Sequence, residues 1–167
     1  MQKAKNVKHL EVKDLQSIAE WGGPERGRPE RIEAENNPNS VRTATKKAIE
    51  QVHSPEKSLR ELLGLKQWGL TYASKTLRFI EPLEHGALDS WIRLSLTPIL
   101  WDIKDGKNNS MIRGYSKFLA VCKEIQHTAN KETNPRGIGP WWIADIGDAL
   151  FEFARANNSL TEKSAYQ

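Results

Sequence analysis

This sequence predicts an all-α fold. Apolar residues recur at helical spacing along most of the chain, no segment alternates as a strand would, and the periodic stretches are separated by capping residues, prolines and glycines. Its 167 residues suit one domain with a sizeable core, and 38% hydrophobic with 28% charged residues is an ordinary globular composition.

Residues 1–39 read as a polar N-terminal extension. A short helix fits Asp14 to Trp21, and "GGPERGRPER", Gly22 to Arg31, reads as a loop whose arginines suit solvent or a phosphate. Residues 40–158 read as the helical domain and 159–167 as a polar tail. The first domain helix covers Ser40 to Val52, with Val41, Ala44, Ala48, Ile49 and Val52 near one face. In the next, Ser54 is the N-cap, Pro55 takes the first helical position, and Glu56 meets the positive helix end. Leu59, Leu62 and Leu63 form its apolar face, and Gly64 marks its stop.

A tight connection, "LKQWG", leads into a helix from about Leu70 to Ile80. Leu70, Ala73, Leu77 and Ile80 face the core, which sets Lys75 near the opposite side, one turn after Thr71. Pro82 and Gly86 interrupt the chain, and Asp89 with Ser90 opens a helix to about Leu96. Asp102 to Ser110 is a turn. A helix near Gly114 to Ala129 turns Phe118, Leu119, Val121, Cys122 and Ile125 inward. The loop "NKETNPRGIGP" ends at Pro140, and the last helix, Trp141 to about Arg155, buries Ile143, Ile146, Leu150 and Phe153. Trp101 also reads as core.

The formal net charge of +4 and pI near 9.2 suit an anionic partner without requiring one. The single cysteine, Cys122, excludes an internal disulfide and a four-cysteine metal site made by this chain alone. His9, His53, His85 and His127 have no metal-ligand spacing, and the sequence implies neither metal nor cofactor. No stretch approaches the roughly 20 apolar residues of a membrane span, and "MQKAKNVKHLEVKD" does not read as a signal peptide. The expectation is a cytoplasmic monomer.

Two helices joined by a glycine-containing turn present backbone N–H groups outward, and the second helix aims its positive end at the same place. An ordinary αα-hairpin has the same outline. The order of the pieces adds to this: a helix, "LKQWG", a helix opening "LTYASKTL", a loop, and "ALDSWIR". That order resembles the helix-hairpin-helix DNA glycosylases, and among them the 8-oxoguanine DNA glycosylases and their small bacterial relatives. Gly69 matches the second glycine of the family's L-P-G-V-G hairpin, Ala73 the helix alanine, and Asp89 the catalytic aspartate. "GPWWIADIGDALFEFAR", Gly139 to Arg155, is similar to the family's base-pocket helix. The resemblance spans about Ser54 to Arg155.

The resemblance implies duplex DNA as partner and release of a modified or damaged base as the reaction, with abasic-site lyase activity as an extension. Lys66, Gln67, Trp68, Gly69 and Thr71 would meet the DNA backbone, and Trp142, Asp145, Asp148 and Phe151 would line the base pocket. Asp89 would stabilise the positive charge left on the deoxyribose, although an aspartate before Ser90 also reads as a helix cap. The chain departs from the pattern at Lys66, Gln67 and Thr71, which stand where the family has proline, glycine and its nucleophilic lysine. Lys75 is the nearby amine on geometric grounds, and it attacks sugar only when neutral. The alternative expectation is a non-catalytic hairpin module that binds DNA within a repair or defence complex.

Overall fold

The computed structural model describes residues 8–23, 28–97, 103–130 and 139–164, with side chains omitted at 28 and 158–164. These residues are helical, with no strand among them. The helices are α1 (Val12–Trp21), α2 (Arg28–Glu35), α3 (Pro38–Glu50), α4 (Pro55–Leu62), α5 (Leu70–Ile80), α6 (Ser90–Ser95), α7 (Asn108–Ala129) and α8 (Ile143–Ser164). None of the described helices is long and apolar enough to cross a membrane.

The middle of the molecule is α5. Every residue from Tyr72 to Leu77 is buried, so this helix has no solvent face through its centre. α4 packs on it from one side and α1 from another. α4 also contacts α3 and α7, while α8 lies against α6 and α7. Tyr115 and Phe118 of α7, Ile143 and Ile146 of α8, and Leu59 and Leu62 of α4 meet in one core with Leu70, Ala73 and Leu77.

The buried Ser74 and Thr76 hydroxyls of α5 are both paired. Thr76 Oγ1 donates to Tyr72 O at 2.8 Å and accepts from the Trp68 indole N–H at 3.1 Å. Ser74 Oγ donates to Thr71 O at 3.0 Å and accepts from the Leu88 amide at 2.9 Å. Such partners are required, because an unpaired buried polar group costs about 1–3 kcal/mol.

The N-terminal residues depart most from expectation. α1 begins two residues before Asp14, and a second helix, α2, occupies part of the expected loop. Leu15, Ile18, Ala19 and Ile32 are all core residues, so this polar segment uses a few apolar positions to join the core. The amphipathic spacing is short, and the charged residues between the apolar ones hide it. Residues 24–27 of the expected Gly22–Arg31 loop lie outside the described residues.

Further differences are local. Helix α7 starts at Asn108 instead of Gly114, and Gly114 sits inside it against Ile103, where a Cβ would collide. Ser54 is the N-cap of α4, but its side chain makes no capping hydrogen bond. Ile125 and Phe153, both expected inward, are exposed, Phe153 at 62%. Helix α8 runs on to Ser164, and its contacts with α6 and α7 bury Ile143, Ala144, Ile146 and Ala154, which leaves Phe153 on the outer side. Trp101 lies outside the described residues.

Candidate functional site

The turn between α4 and α5 is held from outside by the end of α2. Asn36, itself buried, accepts from the Lys66 amide at 2.9 Å and donates to the Lys66 carbonyl at 3.0 Å. One amide side chain thereby satisfies both main-chain groups at the tip of the turn. Gln67 Nε2 donates to both carboxylate oxygens of Glu35, at 3.0 and 3.2 Å. Gln67 has φ +59°, in the left-handed region where glycine is the favoured residue. The turn therefore keeps a glycine-like backbone with a glutamine in place, and the bonds to Glu35 help hold it there.

Gly69 behaves differently. Its φ of −71° suits any residue, it is exposed, and a Cβ added to it would meet nothing within 4 Å. Among the described residues nothing requires a glycine at this position. The helix that follows has no side-chain cap, and the amides of Gly69, Leu70 and Thr71 have no intramolecular acceptor among the described residues. Free amides at a helix N-terminus favour an anion.

Of the five residues expected to meet the DNA backbone, Trp68 is displaced from that role. Its indole is 1% exposed and bonded to Thr76, because the turn tucks it under α5. Trp68→Ala should therefore cost about 3–5 kcal/mol of stability, read as a lowered urea midpoint, whether or not any ligand is present. Lys66 is exposed, and Thr71 is partly so.

Lys75 is also not where periodicity set it. Instead of the outer side, it lies buried at 6% exposure, because α1 covers that face of α5. Its Nζ donates to the Gly22 carbonyl at 3.1 Å. The amine lies 5.8 Å from the Trp21 ring centroid and 5.4 Å from that of Tyr72. Arg78, one turn further on, stacks at 4.7 Å on the same Trp21 ring and pairs with Asp148. Its Nε is buried with no hydrogen-bond partner among the described residues.

Asp89 is half-buried at the start of α6, where its carboxylate accepts from the Ile92 amide at 2.9 Å. Ser74, next to Lys75 on α5, holds the Leu88 main chain and so fixes the residue before Asp89. Burial pushes the Asp89 carboxyl above its ordinary value, while the Ile92 amide, the Lys75 charge and the Trp91 amide pull it back down. The carboxylate thus sits within the field of the Lys75 amine, although it also caps its own helix.

Asp145, Asp148 and Phe151 lie on α8, and Trp142 immediately precedes it. Asp145 accepts from the Trp142 amide at 2.8 Å, capping the start of α8. Asp148 is taken by Arg78, tying α8 to α5. Trp142 is 36% exposed, and Phe151 is partly buried with Arg155 over its ring. Two open surface hollows lie elsewhere, one bordered by Asn39, Thr43 and Glu61, the other by Lys13, Glu33 and Arg42.

Sequence reasoning missed Trp21, Gly22, Asn36, Ser74 and Arg78. The last two carry a legible signal, being polar residues that flank Lys75 on a helix flanked by apolar ones. Among the described residues no three His, Cys, Asp or Glu side chains converge to hold a metal. Comparison with family models, curated proteins and solved structures finds no match for this chain.

Proposed function

We propose that this protein is a DNA glycosylase of the helix-hairpin-helix type, releasing a modified or damaged base from duplex DNA. The observation that carries the reading is Asp89, a half-buried carboxylate under the influence of a buried lysine of α5, the helix whose leading amides have no intramolecular acceptor among the described residues. Keeping a carboxylate where its charge is penalised is a frequent mark of a functional group. Supporting it are the left-handed backbone at Gln67, where the family carries glycine, and a Gly69 that nothing among the described residues requires to be glycine.

In this reading Gly69, Leu70 and Thr71 receive a phosphate through their amides, without sequence preference. The target base leaves the stack to reach the site. As the C1′–N bond breaks, its electron pair leaves with the base, and Asp89 stabilises the cation left on the sugar. In the lyase extension, the neutral Lys75 amine bonds to C1′, a proton passes from its nitrogen to O4′ as the C1′–O4′ bond breaks and the ring opens, and the nitrogen lone pair closes the imine that joins protein to DNA.

The test uses duplexes carrying oxidised or alkylated bases, with base release followed by chromatography. Borohydride reduction of a duplex with an abasic site then reports the imine. Release of a base from any of them supports the reading, and trapping lost in Lys75→Gln assigns the amine. No release across the panel would sink it.

A second reading is a non-catalytic hairpin that binds DNA backbone, favoured by the covered Lys75 amine and the capping role of Asp89. Both readings require that Gly69→Val weaken duplex binding on all sequences alike, and that wild-type binding fall steeply with salt. Unaltered affinity in Gly69→Val would remove the hairpin as the contact in either.

A further inference from the structure

Gly22 closes α1 with φ −76° and ψ 2°, a conformation open to any residue. The reason for a glycine there lies across the helix interface. A Cβ at position 22 would stand 2.5 Å from Lys75 Nζ, 3.1 Å from its Cδ and 3.2 Å from its Cε. The same residue offers its carbonyl to that amine at 3.1 Å. Trp21, immediately before it, lies beside the amine on one side and stacks on Arg78 on another, and its edge packs against Phe79 at 4.9 Å between ring centroids. Trp21 is nonetheless half-exposed. Two consecutive residues thus set one lysine's position, the first by ring contact and the second by a carbonyl and the absence of a side chain.

We infer that the Trp21–Gly22 corner is the positioning element of the Lys75 amine, directing it and governing its access to an electrophilic sugar carbon. The inference rests on the glycosylase reading for its substrate, but the placement of the amine stands on contacts within the protein. These are positioning residues, acting through Lys75. The colliding atom in a Gly22→Ala protein is the far end of a flexible side chain. The amine gives way before the fold does, so the substitution should move the amine while leaving stability nearly unaltered.

Two readouts separate this inference from the function it rests on. The first needs no DNA: the full-length protein is treated with a lysine-acetylating reagent and modification of Lys75 is followed by mass spectrometry. Acetylation of Lys75 should be slow in wild type and about tenfold faster in Gly22→Ala, the gain in exposed population that about 1.4 kcal/mol brings. The second is the rate of borohydride trapping at saturating abasic duplex. It should fall about tenfold in Gly22→Ala, with duplex affinity and melting temperature held. Trp21→Ala should behave like Gly22→Ala, and Trp21→Phe, which keeps a ring, should restore most of the wild-type behaviour. If Gly22→Ala unfolds, the Trp21→Ala and Trp21→Phe pair carries the same decision. Equal Lys75 acetylation in wild type and the folded variants would overturn the inference. A wild type that traps nothing would instead remove the lyase reading, while the acetylation rates still decide whether the corner positions the amine.

Discussion

Two helices here begin on a carboxylate, and the two carboxylates live differently. Glu11 caps α1 in a capping box, its side chain accepting from the amide of Asp14 while the Asp14 carboxylate takes the Glu11 amide. Arg42 donates to both Glu11 oxygens at 2.9 Å, and His9 lies at 3.0 Å. These partners hold the Glu11 carboxyl below its ordinary value. Asp89 performs the same duty for α6 with less solvent, and burial drives its carboxyl the other way. A cap needs only an acceptor, and at Glu11 the charge is met in addition by Arg42 and His9. The charge cost at Asp89 is the part that capping does not explain.

The largest expected contrast is in base release. Asp89→Asn retains the acceptor for Ile92 but loses the charge, and should lower release by about 10²–10³-fold, the usual size of an electrostatic contribution to a transition state. Glu11→Gln should leave release unchanged. Equal loss in both variants would mean that stability, not chemistry, links them.

A smaller effect is expected from the residue that holds Asp89 in place. Ser74→Ala leaves the buried Leu88 amide without its partner, at a cost of about 1–3 kcal/mol, measurable as a lowered urea midpoint. It should also lower base release, because Leu88 precedes the carboxylate. Normal release in a destabilised Ser74→Ala protein would separate the loop's anchoring from its chemistry.

The pH responses should then run in opposite senses. Glu11 has a depressed folded pKa, so its contribution is present above about 4.5 and is lost as pH falls through the folded value. Asp89 has a raised folded pKa, so the native state holds the proton more strongly. Its penalty is fully present at neutral pH and is relieved as pH falls toward 3.8. Asp89→Asn should therefore be at least as stable as wild type at pH 7, with the difference shrinking in acid. Thermal melts across that range check the sign, and a neutral-pH loss in Asp89→Asn would refute it.

The least of these effects concerns the loop before Asp89. His85 is buried, with its ring nitrogens at 3.1 Å from the Tyr115 hydroxyl and 2.8 Å from the Val52 carbonyl. Burial holds its pKa below 6.5. The neutral ring's stabilisation is present above 6.5 and is lost as pH falls from there toward the folded value. Hydrogen exchange should show the 82–88 loop loosening as pH falls below 6.5 while α1 keeps its protection. Simultaneous loosening of both would erase the distinction between the two ends.

The helical character and the α4–α5 hairpin were legible because periodicity, Pro55 and Gly69 punctuate them locally. So was Asp89 at a helix start. The burial of Lys75 was not, because a helical wheel identifies the face opposite Leu70 and Leu77 but not what covers it. The cover comes from the end of α1, where Trp21 and Gly22 meet the amine, in a segment whose composition looks solvated. Asn36 was illegible for a similar reason. Its bonds to Lys66 depend on where α2 ends relative to the turn, and no local pattern encodes that. The expected grouping of Asp145 and Asp148 relied on their shared helix side, yet the start of α8 takes one and Arg78 takes the other.

The bracing of the hairpin turn by Asn36 has a kinetic consequence. Asn36 and Lys66 stand 30 residues apart, and Gly22 and Lys75 stand 53 apart. Contacts of that separation carry a loop-closure cost that the local α4–α5 contacts do not. The hairpin should collapse early as a bare pair of helices, and its tip and buried amine should acquire their final geometry only when the N-terminal helices dock. Removing the Asn36 amide in Asn36→Ala should then speed unfolding far more than it slows folding. In stopped-flow traces the chevron of this variant should shift almost entirely in its unfolding arm.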